Sequence, residues 1–546
     1  MRELREKLKK VILELFDVDF EPEIVPAPLN IEADYSSNAP LKLAKDLHKN
    51  PFEIAEEISE KINDSFVSKP GFVNFKLSNE YLIKKITEIV DWEYEFLPYH
   101  NEFEGKTIVC EFSDPNPFKV LHVGHLYTSI VGNAISNLFE NAGAKVIRVN
   151  FGGDVGLHVA KTMYILKQKN LAELTIEDIA RCYVEGTAAY EDNEQAKKEI
   201  TELNKEIYKI NAEDIHGTLI SDLYWKGREL SYEYFKDFYA RIGVEFDKFY
   251  PESSVATLGF NKVKEELEAG VYEKSDGAVI FDGEKYGLHT RVFINKEGVP
   301  TYEAKDVGLI FKKYEDYHFD KSVVITGNEQ LEYMKVVLKS VEQYAPELVE
   351  KTSHLTHGLV KLPGNEKMSS RKGNFLKAVD VLDMVADELK SQYDSDDAKV
   401  SMAALKYAFL KYKMGGDIIF DPSESVKMTG NSGPYLLYSA VRAAKIAGPV
   451  GEDIEGYVYN IYERNLAKKI LEYQDILDEA MKEMAPHKLA NYLYEVAQEF
   501  SRFYENCPVV DTKEESERQK LVNAYFYLMQ MGLGILGIEL PERMRM

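Results

Sequence analysis

The sequence predicts a multidomain α/β protein with a parallel sheet of the Rossmann type at its centre. Its 546 residues are enough for roughly three or four domains. From about residue 104, buried strand patterns alternate with helical patterns, as in parallel sheets covered by helices. Beyond about residue 376 the strand patterns give way to long helical patterns. We therefore expect a small α+β domain over 1–103, a Rossmann-type domain over 104–375 with a helical insertion at about 158–250, and an all-α bundle over 376–546.

The first domain shows mixed helix and strand patterns and no residue cluster that suggests catalysis. Pro51 follows Asn50 at a position that suits the first turn of a helix over 51–59. A second helix is predicted at 79–91, and the run 70–77 alternates in the manner of a strand. We expect a packing or binding module here.

The central domain opens with strand patterns at 107–112 and 145–150, and a helical pattern lies between them. A loop broken by prolines delivers His122-Val-Gly-His125 to the start of that helix. The glycine lets the backbone come close to a phosphate, and the helix N-terminus attracts anions. The imidazoles can donate hydrogen bonds to a phosphate as negative charge develops on it. The motif therefore predicts a phosphate site, although a turn with two incidental histidines explains these four residues equally well.

The sheet pattern returns after the insertion, and it ends at a loop rich in cations. Strands are predicted at 277–281, 290–294, 322–327 and 357–362. The loop 367–373 has the sequence Lys-Met-Ser-Ser-Arg-Lys-Gly. Such a flexible cationic loop can close over a polyphosphate and keep its positive charges near the phosphates while the phosphate bond is broken. Alone it also fits a solvated turn. Paired with the upstream histidine motif in a parallel α/β context, it favours an ATP site. Helices then follow at 403–414, 434–447, 459–484, 487–506 and 514–536.

The two motifs resemble the signatures of the class I aminoacyl-tRNA synthetases, and further blocks narrow the resemblance to the arginyl-tRNA synthetase family. His122-Val-Gly-His125 is similar to the HIGH signature, and Lys367-Met-Ser-Ser-Arg371 to a variant of the KMSKS signature. Blocks at 111–116 and 302–306 also resemble this family. Segments of its N-terminal and anticodon-binding domains are similar to 70–75 and 430–438. The resemblance covers nearly the whole chain.

The resemblance implies an arginine pocket, and the residue types suit one. A guanidinium prefers planar carboxylates and an aromatic face, and Tyr302 and Asp306 are spaced to share one face of a helix. By resemblance, Glu111 joins them, while Asn116 and Gln330 hold the α-amino and α-carboxyl ends. Without the resemblance, Tyr302 and Asp306 also fit a surface pair, and Gln330 an ordinary helix start. The implied arginine-binding set is Glu111, Ser113, Asn116, Tyr302, Asp306 and Gln330.

An ATP site, with Mg2+ accompanying ATP and no metal site of the protein's own, is implied as well. The implied ATP-binding residues are Lys119, His122, Gly124, His125, Gly327, Lys367, Met368 and Ser369. The implied catalytic residues are Lys119, His122, His125, Lys367 and Arg371.

This sequence departs from the family pattern at three places. Ser370-Arg371 stand where the KMSKS signature has Lys-Ser, and Lys119 matches a lysine that many members carry shortly before HIGH. Lys119 could supply the missing positive charge. Asp114 and Val155 replace residues that are common in the family, and Asp114 would add negative charge near the α-amino end.

The implied reaction forms arginyl-adenylate from L-arginine and ATP and transfers the arginyl group to tRNA(Arg). The net charge of −25 disfavours a general nucleic-acid binder, but it does not exclude local basic faces. Three scattered cysteines and the absence of a long apolar run favour a reducing, cytoplasmic location and no membrane partner. A monomer is expected. Another class I synthetase, a small-molecule nucleotidylyltransferase and an inactive tRNA-binding paralogue remain as alternatives.

Overall fold

A computed structural model describes residues 2–28, 30–91, 103–169, 174–364 and 376–544 of the chain. The chain divides into two compact units. The first comprises Met1–Pro98, Ser439–Glu479 and Asn491–Gly532. The second comprises Tyr99–Tyr438, Ala480–Ala490 and Leu533–Met546. No helix within the described ranges combines the length and apolar composition needed to span a lipid bilayer.

The N-terminal part of the first unit is an antiparallel sheet packed against helices. Its elements are α1 (Arg2–Phe16), β1 (Val25–Pro26), β2 (Tyr35–Ser37), α2 (Ala39–Leu47), α3 (Pro51–Ser59), β3 (Ser65–Ser68), β4 (Phe72–Phe75) and α4 (Asn79–Asp91). The strand order is β1-β2-β4-β3. The Asn50 side chain accepts a hydrogen bond from the Phe52 N–H, and Pro51 occupies the first turn of α3, which confirms the helix start expected there.

The second unit carries the elements that the sequence predicted for an α/β domain. In chain order they are β5 (Thr107–Glu111), α5 (Val123–Asn141), β6 (Lys145–Gly152), α6 (Leu157–Leu166), α7 (Ile176–Asp192), α8 (Glu194–Ala212), α9 (Leu219–Ile242), β7 (Lys248–Pro251), α10 (Glu252–Glu268), β8 (Glu273–Ser275), β9 (Ala278–Phe281), β10 (Arg291–Ile294), α11 (Tyr302–Tyr317), β11 (Lys321–Gly327), α12 (Leu331–Glu342), α13 (Pro346–Glu350), β12 (Thr352–His357), β13 (Val360–Lys361), α14 (Ala378–Tyr393), α15 (Ala398–Leu410), β14 (Ile418–Ile419) and α16 (Pro422–Ser425).

Five strands form the central sheet, in the order β12-β11-β5-β6-β7, and every neighbouring pair is parallel. The Rossmann-type sheet expected from the sequence is therefore confirmed. The strand order reverses between β5 and β11, because the chain adds β6 and β7 on one side of β5 and β11 and β12 on the other. Such a reversal opens a crevice at the carboxyl ends of the strands, where ligands bind in this class of fold.

The insertion consists of α6 to α9, which have a core of their own. Val155 is buried in that core with Phe118, Val159 and Met163, so its side chain supports the insertion. Asp154, one residue earlier, is fully buried and joins the insertion to the sheet. Its carboxylate accepts hydrogen bonds from the Ser253 N–H and hydroxyl at 3.0 and 2.7 Å and pairs with Arg228 Nε at 3.0 Å.

Strands form at the predicted places in this unit, but three of the predicted patterns differ in sheet or extent. The patterns at 277–281 and 290–294 do not return to the parallel sheet, because β8, β9 and β10 form a separate antiparallel sheet in the order β10-β9-β8. Asp276 and Gly277 join β8 to β9 with φ values of 47° and 81°, which is the backbone of a tight hairpin turn. The pattern at 357–362 is divided between the last residue of β12 and the short strand β13. β13 pairs with β14, which lies beyond residue 376, where no strand was expected.

Five helices complete the described chain: α17 (Gly433–Ile446), α18 (Ile461–Leu471), α19 (Tyr473–Lys482), α20 (Pro486–Asn506) and α21 (Glu515–Ile535). The single helix predicted at 459–484 is thus two helices. The break lies at Glu472, whose N–H bonds to the Lys469 carbonyl, three residues back, and so tightens the last turn of α18. The expected helical character of the C-terminal region is confirmed.

Candidate active site

A cavity of about 1310 Å³ lies at the carboxyl ends of the central strands. Every predicted site residue within the described ranges lines it: Glu111, Ser113, Asn116, Lys119, His122, Gly124, His125, Tyr302, Asp306, Gly327 and Gln330. The remaining predicted residues, Lys367, Met368, Ser369 and Arg371, lie outside the described residues. The cavity therefore brings the two halves of the predicted site together, while the individual roles stay predictions.

The two histidines of the phosphate motif stack on each other at the start of α5. Their ring centroids are 3.8 Å apart, and the rings are inclined by 24°. His122 caps the helix, and its Nδ1 accepts the Gly124 N–H at 3.1 Å, while Nδ1 of His125 accepts the His122 N–H at 3.1 Å. Because both Nδ1 atoms are acceptors, each neutral ring carries its proton on Nε2.

Burial keeps both rings neutral near pH 7. It lowers the pKa of His122 to about 4, and the charge of Lys119 acts in the same direction. Burial also lowers the pKa of His125 well below its usual range, with further contributions from His122 and Lys119. The rings can therefore offer Nε2–H groups to a phosphate without carrying a charge themselves. A Cβ at position 124 would lie 2.8 Å from Cε1 of His122, so any larger residue there would displace the His122 ring.

Lys119 supplies a cation to the same cavity. Burial lowers its pKa, and Glu252 opposes that effect. Its Nζ lies 5.0 Å from the ring centroid of Tyr183 in a cation–π contact. Within the described part of the chain, no carboxylate lies at ion-pair distance from this Nζ, so its charge is open to an anionic ligand.

Elsewhere in the cavity, Glu111 is already paired. Lys313 Nζ donates to Glu111 Oε2 and lies 3.3 Å from the Ser322 hydroxyl. Only 4% of Glu111 and 1% of Lys313 are exposed. Sequence reasoning missed Lys313, although it follows Asp306 by seven residues and so lies on the same face of α11.

Asp306 has no cation of its own within the described residues, and it accepts a hydrogen bond from the Tyr333 hydroxyl. Burial raises the pKa of Asp306 to about 8, and the negative charge of Glu111 contributes in the same direction, while the Tyr333 hydrogen bond opposes the rise. Tyr302, one helical turn earlier, is 56% exposed at the mouth of the cavity. The two residues share a face of α11 as the sequence predicted, but they differ sharply in burial.

Two further ion pairs involve residues that line the cavity, and they were not predicted. Arg291 Nη1 lies 3.2 Å from Glu303 Oε1, and its guanidinium carbon lies 5.2 Å from the ring centroid of Tyr333. Lys305 Nζ lies 2.8 Å from Glu252 Oε2, and this carboxylate together with the nearby Tyr208 raises the pKa of Lys305 against the effect of burial. Internal cations thus pair with Glu111, Glu252 and Glu303. Asp114, Asp306 and Glu329 are the lining carboxyl groups without such an ion pair among the described residues.

The loop between β5 and α5 is fixed to β6 by short hydrogen bonds. Ser113 and Asp114 have φ values of 75° and 48°, in the left-handed region. The Asp114 carboxylate accepts the Phe151 N–H at 2.8 Å, and Asn116 Oδ1 accepts the Gly153 N–H at 2.7 Å. Burial raises the pKa of Asp114 well above its usual range, and Glu111 adds to the rise. Asp114 therefore stabilises the loop and also lines the cavity.

Three more residues line the cavity near the predicted ATP and α-amino positions. His158 Nε2 donates to the Gly153 carbonyl at 2.8 Å, and burial lowers the pKa of its ring to about 3. Gly327 ends β11, and Gln330 lies three residues later in a short 3-10 turn with its side chain exposed. Among the residues that the structure describes, no group of three or more His, Cys, Asp or Glu side chains is arranged to hold a metal ion.

Three segments of the chain match known families. Residues 95–421 match the family described as tRNA synthetases class I (R), catalytic domain. Residues 2–77 match the arginyl tRNA synthetase N terminal domain, and residues 436–544 match the DALR anticodon binding domain.

Similar proteins are found both by sequence and by structure. The chain is 28% identical to an arginine–tRNA ligase of Treponema denticola, with 100% of each chain covered, and 28% identical to one of Clostridium perfringens, with 99% of each covered. Among solved structures, the arginyl-tRNA synthetase of Thermus thermophilus has a TM-score of 0.83 at 23% identity, with 100% of each chain covered. That of Plasmodium falciparum has a TM-score of 0.78 at 22% identity and covers 100% of this chain and 99% of its own. These structures support the fold.

Proposed function

The chain belongs to the class I tRNA synthetases of the arginine type, and we propose that it joins L-arginine to tRNA(Arg) with ATP as the energy source. In the first step a carboxylate oxygen of arginine attacks the α-phosphorus of ATP, which forms arginyl-adenylate and releases pyrophosphate. In the second step a hydroxyl of the terminal tRNA ribose attacks the arginyl carbonyl carbon, and AMP leaves.

One observation carries this proposal: a neutral histidine pair at a helix N-terminus shares a cavity with Asp306, a half-buried carboxyl group that no cation within the described residues pairs with. His122 and His125 offer Nε2–H groups where negative charge develops on the transferring phosphate. Lys119 adds a cation that no carboxylate within the described residues holds. Catalysis then depends on positioning and charge stabilisation, because neither step needs a covalent intermediate with the protein.

Arginine recognition follows from the other half of the cavity. Asp306 forms the charged contact with the guanidinium, and the Tyr302 ring covers it at the mouth. Glu111 contributes a second carboxylate whose charge Lys313 already offsets. Asn116 and Gln330 hold the α-amino and α-carboxyl ends, and Ser113 lines the same wall.

The remaining features of the proposal complete the reaction. Gly124 and Gly327 let the backbone approach ATP, and Mg2+ enters with ATP as its chelate. Lys367, Met368, Ser369 and Arg371, which follow β13 in the sequence, contact ATP. The N-terminal and C-terminal domains bind tRNA(Arg), in keeping with the families they match.

We further propose that the protein acts as a monomer in the cytoplasm, where its three unpaired cysteines fit a reducing environment.

The test is to incubate the protein with ATP, bulk tRNA and each amino acid in turn, and to measure which aminoacyl-tRNA forms. Arginyl-tRNA alone is the expected product. Charging with another amino acid instead would identify a different class I synthetase, and no charging at all would favour a tRNA-binding protein without activity.

A further inference from the structure

His357 is a buried residue of the cavity that the proposed reaction does not use. It ends β12 and is 6% exposed. Its Nδ1 lies 2.8 Å from the Gly358 carbonyl oxygen, and its Nε2 lies 2.7 Å from Oγ1 of Thr128. Thr128 belongs to α5, and its Oγ1 lies 2.8 Å from the carbonyl oxygen of Gly124, the glycine between the two stacked histidines.

The positions of the protons follow from the chemistry of these groups. A carbonyl oxygen can only accept, so the Nδ1 atom of His357 carries a proton and donates it to Gly358. Burial lowers the pKa of His357, so its ring is neutral near pH 7 and its Nε2 is an acceptor. The single proton of the Thr128 hydroxyl can therefore go to Nε2 of His357 or to the Gly124 carbonyl. When the proton goes to Nε2, the hydrogen bond ties Thr128 of α5 to the end of β12; when it goes to Gly124, no proton lies between the hydroxyl oxygen and Nε2, and that tie is absent.

The surroundings hold His357 firmly. The Tyr127 ring meets the imidazole edge to face, with ring centroids 4.8 Å apart at 84°. The next residue, Gly358, is packed so closely that a Cβ there would lie 2.3 Å from backbone atoms of Gly416. The imidazole therefore projects from a turn that has little room to shift.

We propose that His357 is a positioning residue that acts through Thr128 to fix the first turn of α5, and with it the Nε2–H groups of His122 and His125. The inference rests on the proposed function. A threonine that bonds to the carbonyl four residues earlier is common inside helices. Here a side chain from a neighbouring strand binds the same hydroxyl and anchors it to the sheet. Donors that stabilise a transition state must be held within about 0.5 Å of their working position, so loss of this anchor affects the chemical step.

The test measures arginine-dependent exchange of pyrophosphate into ATP, with tRNA present, for paired variants. His357→Phe keeps a ring against Tyr127 but removes both nitrogens, and Thr128→Val keeps the branched shape but removes the hydroxyl. We expect each to lower kcat by about tenfold or more with little change in the KM for arginine. Thr128→Ser, which restores the hydroxyl, and His357→Gln, whose amide can reach Thr128, are expected to recover most of the rate.

The double variant and a matched control sharpen the test. His357→Phe combined with Thr128→Val is expected to lose no more than either change alone, because both remove the same bridge. His354 lies on the same strand, but its Nε2 lies 2.8 Å from the hydroxyl of Thr326, which belongs to β11 and not to α5. We expect His354→Phe to leave kcat within about twofold of the wild type.

Four results would overturn the inference: unchanged kcat in both single variants, losses that multiply in the double variant, a loss in Thr128→Ser as large as in Thr128→Val, or an equal loss in His354→Phe. If the wild-type protein itself shows no exchange with arginine, the proposed function fails. If the wild type is active and the variants match it, only the role of His357 fails.

Discussion

Lys313 Nζ forms a buried ion pair with Glu111, the residue that ends the central strand of the sheet. The two residues are 202 positions apart in sequence, and their contact fixes α11 to the floor of the cavity. Because Lys313 offsets the charge of Glu111 inside the protein, the proposed guanidinium contact falls to Asp306 on the same helix as Lys313.

We expect Lys313→Met to destabilise the protein by about 3 kcal/mol, because a buried carboxylate loses its partner. The midpoint of thermal unfolding reports this change. The double variant Lys313→Met with Glu111→Gln is expected to recover part of the loss, since it leaves no uncompensated charge. A double variant that is less stable than Lys313→Met would show that the pair does not account for the effect.

Arginine binding is expected to release a proton below about pH 8. In the free protein the pKa of Asp306 is about 8, so this carboxyl is largely protonated at pH 7. A bound guanidinium favours the carboxylate, so the proton leaves when arginine binds. Between pH 6 and 8 the affinity for arginine should therefore rise with pH, by up to about tenfold per unit at the acidic end. Calorimetry in two buffers of different ionisation enthalpy measures the proton directly, and heats independent of the buffer would contradict this account.

The histidine pair should make turnover insensitive to acid over a wide range. Because the pKa of His122 is about 4 and that of His125 is lowered well below its usual range, neither ring gains a proton between pH 8 and about 5. We expect no fall in kcat from these residues near pH 6.5, where an ordinary histidine titrates. His125→Ala should lower kcat by about a hundredfold with a much smaller effect on the KM for arginine. A fall in kcat as the pH is lowered through 6.5 that disappears in His125→Ala would contradict this account, because it would show that His125 gains its proton at an ordinary pH.

Lys119 is expected to act on the departing pyrophosphate. Lys119→Met should lower kcat far more than it changes the KM for arginine, because the lost charge faces the phosphates and not the amino acid. Lys161 provides a matched control, since its Nζ also lies over a tyrosine ring, at 4.6 Å from the centroid of Tyr190, and it is not among the residues that line the cavity. If Lys119→Met turns over at the wild-type rate, Lys119 does not compensate for the lysine that the KMSKS-like loop lacks.

Motifs that depend on local geometry were predictable from the sequence. His122 begins a helix because a polar cap, a glycine and an apolar pattern follow one another, and the same signals place the predicted phosphate site at a strand end. The parallel sheet follows from the alternation of buried strands and helices. Tyr302 and Asp306 lie on one face of α11 because they are four residues apart.

Features that depend on distant contacts were not predictable. Nothing in the sequence near Lys313, Arg291 or His357 shows which buried groups they meet, because those partners come from other strands and helices. The strands β9 and β10 were assigned to the wrong sheet because the sequence of a short apolar strand does not show which other strand it pairs with. The Asp276-Gly277 pair was the available sign of a hairpin.

The most direct test of the central claim compares tRNA(Arg) charging by the wild type and by Asp306→Asn across a range of arginine concentrations. If Asp306 is the guanidinium carboxylate, the variant should show a KM for arginine raised by about a hundredfold or more, with the KM for ATP nearly unchanged. Charging by Asp306→Asn at the wild-type KM for arginine would contradict the account, because arginine would then be bound elsewhere.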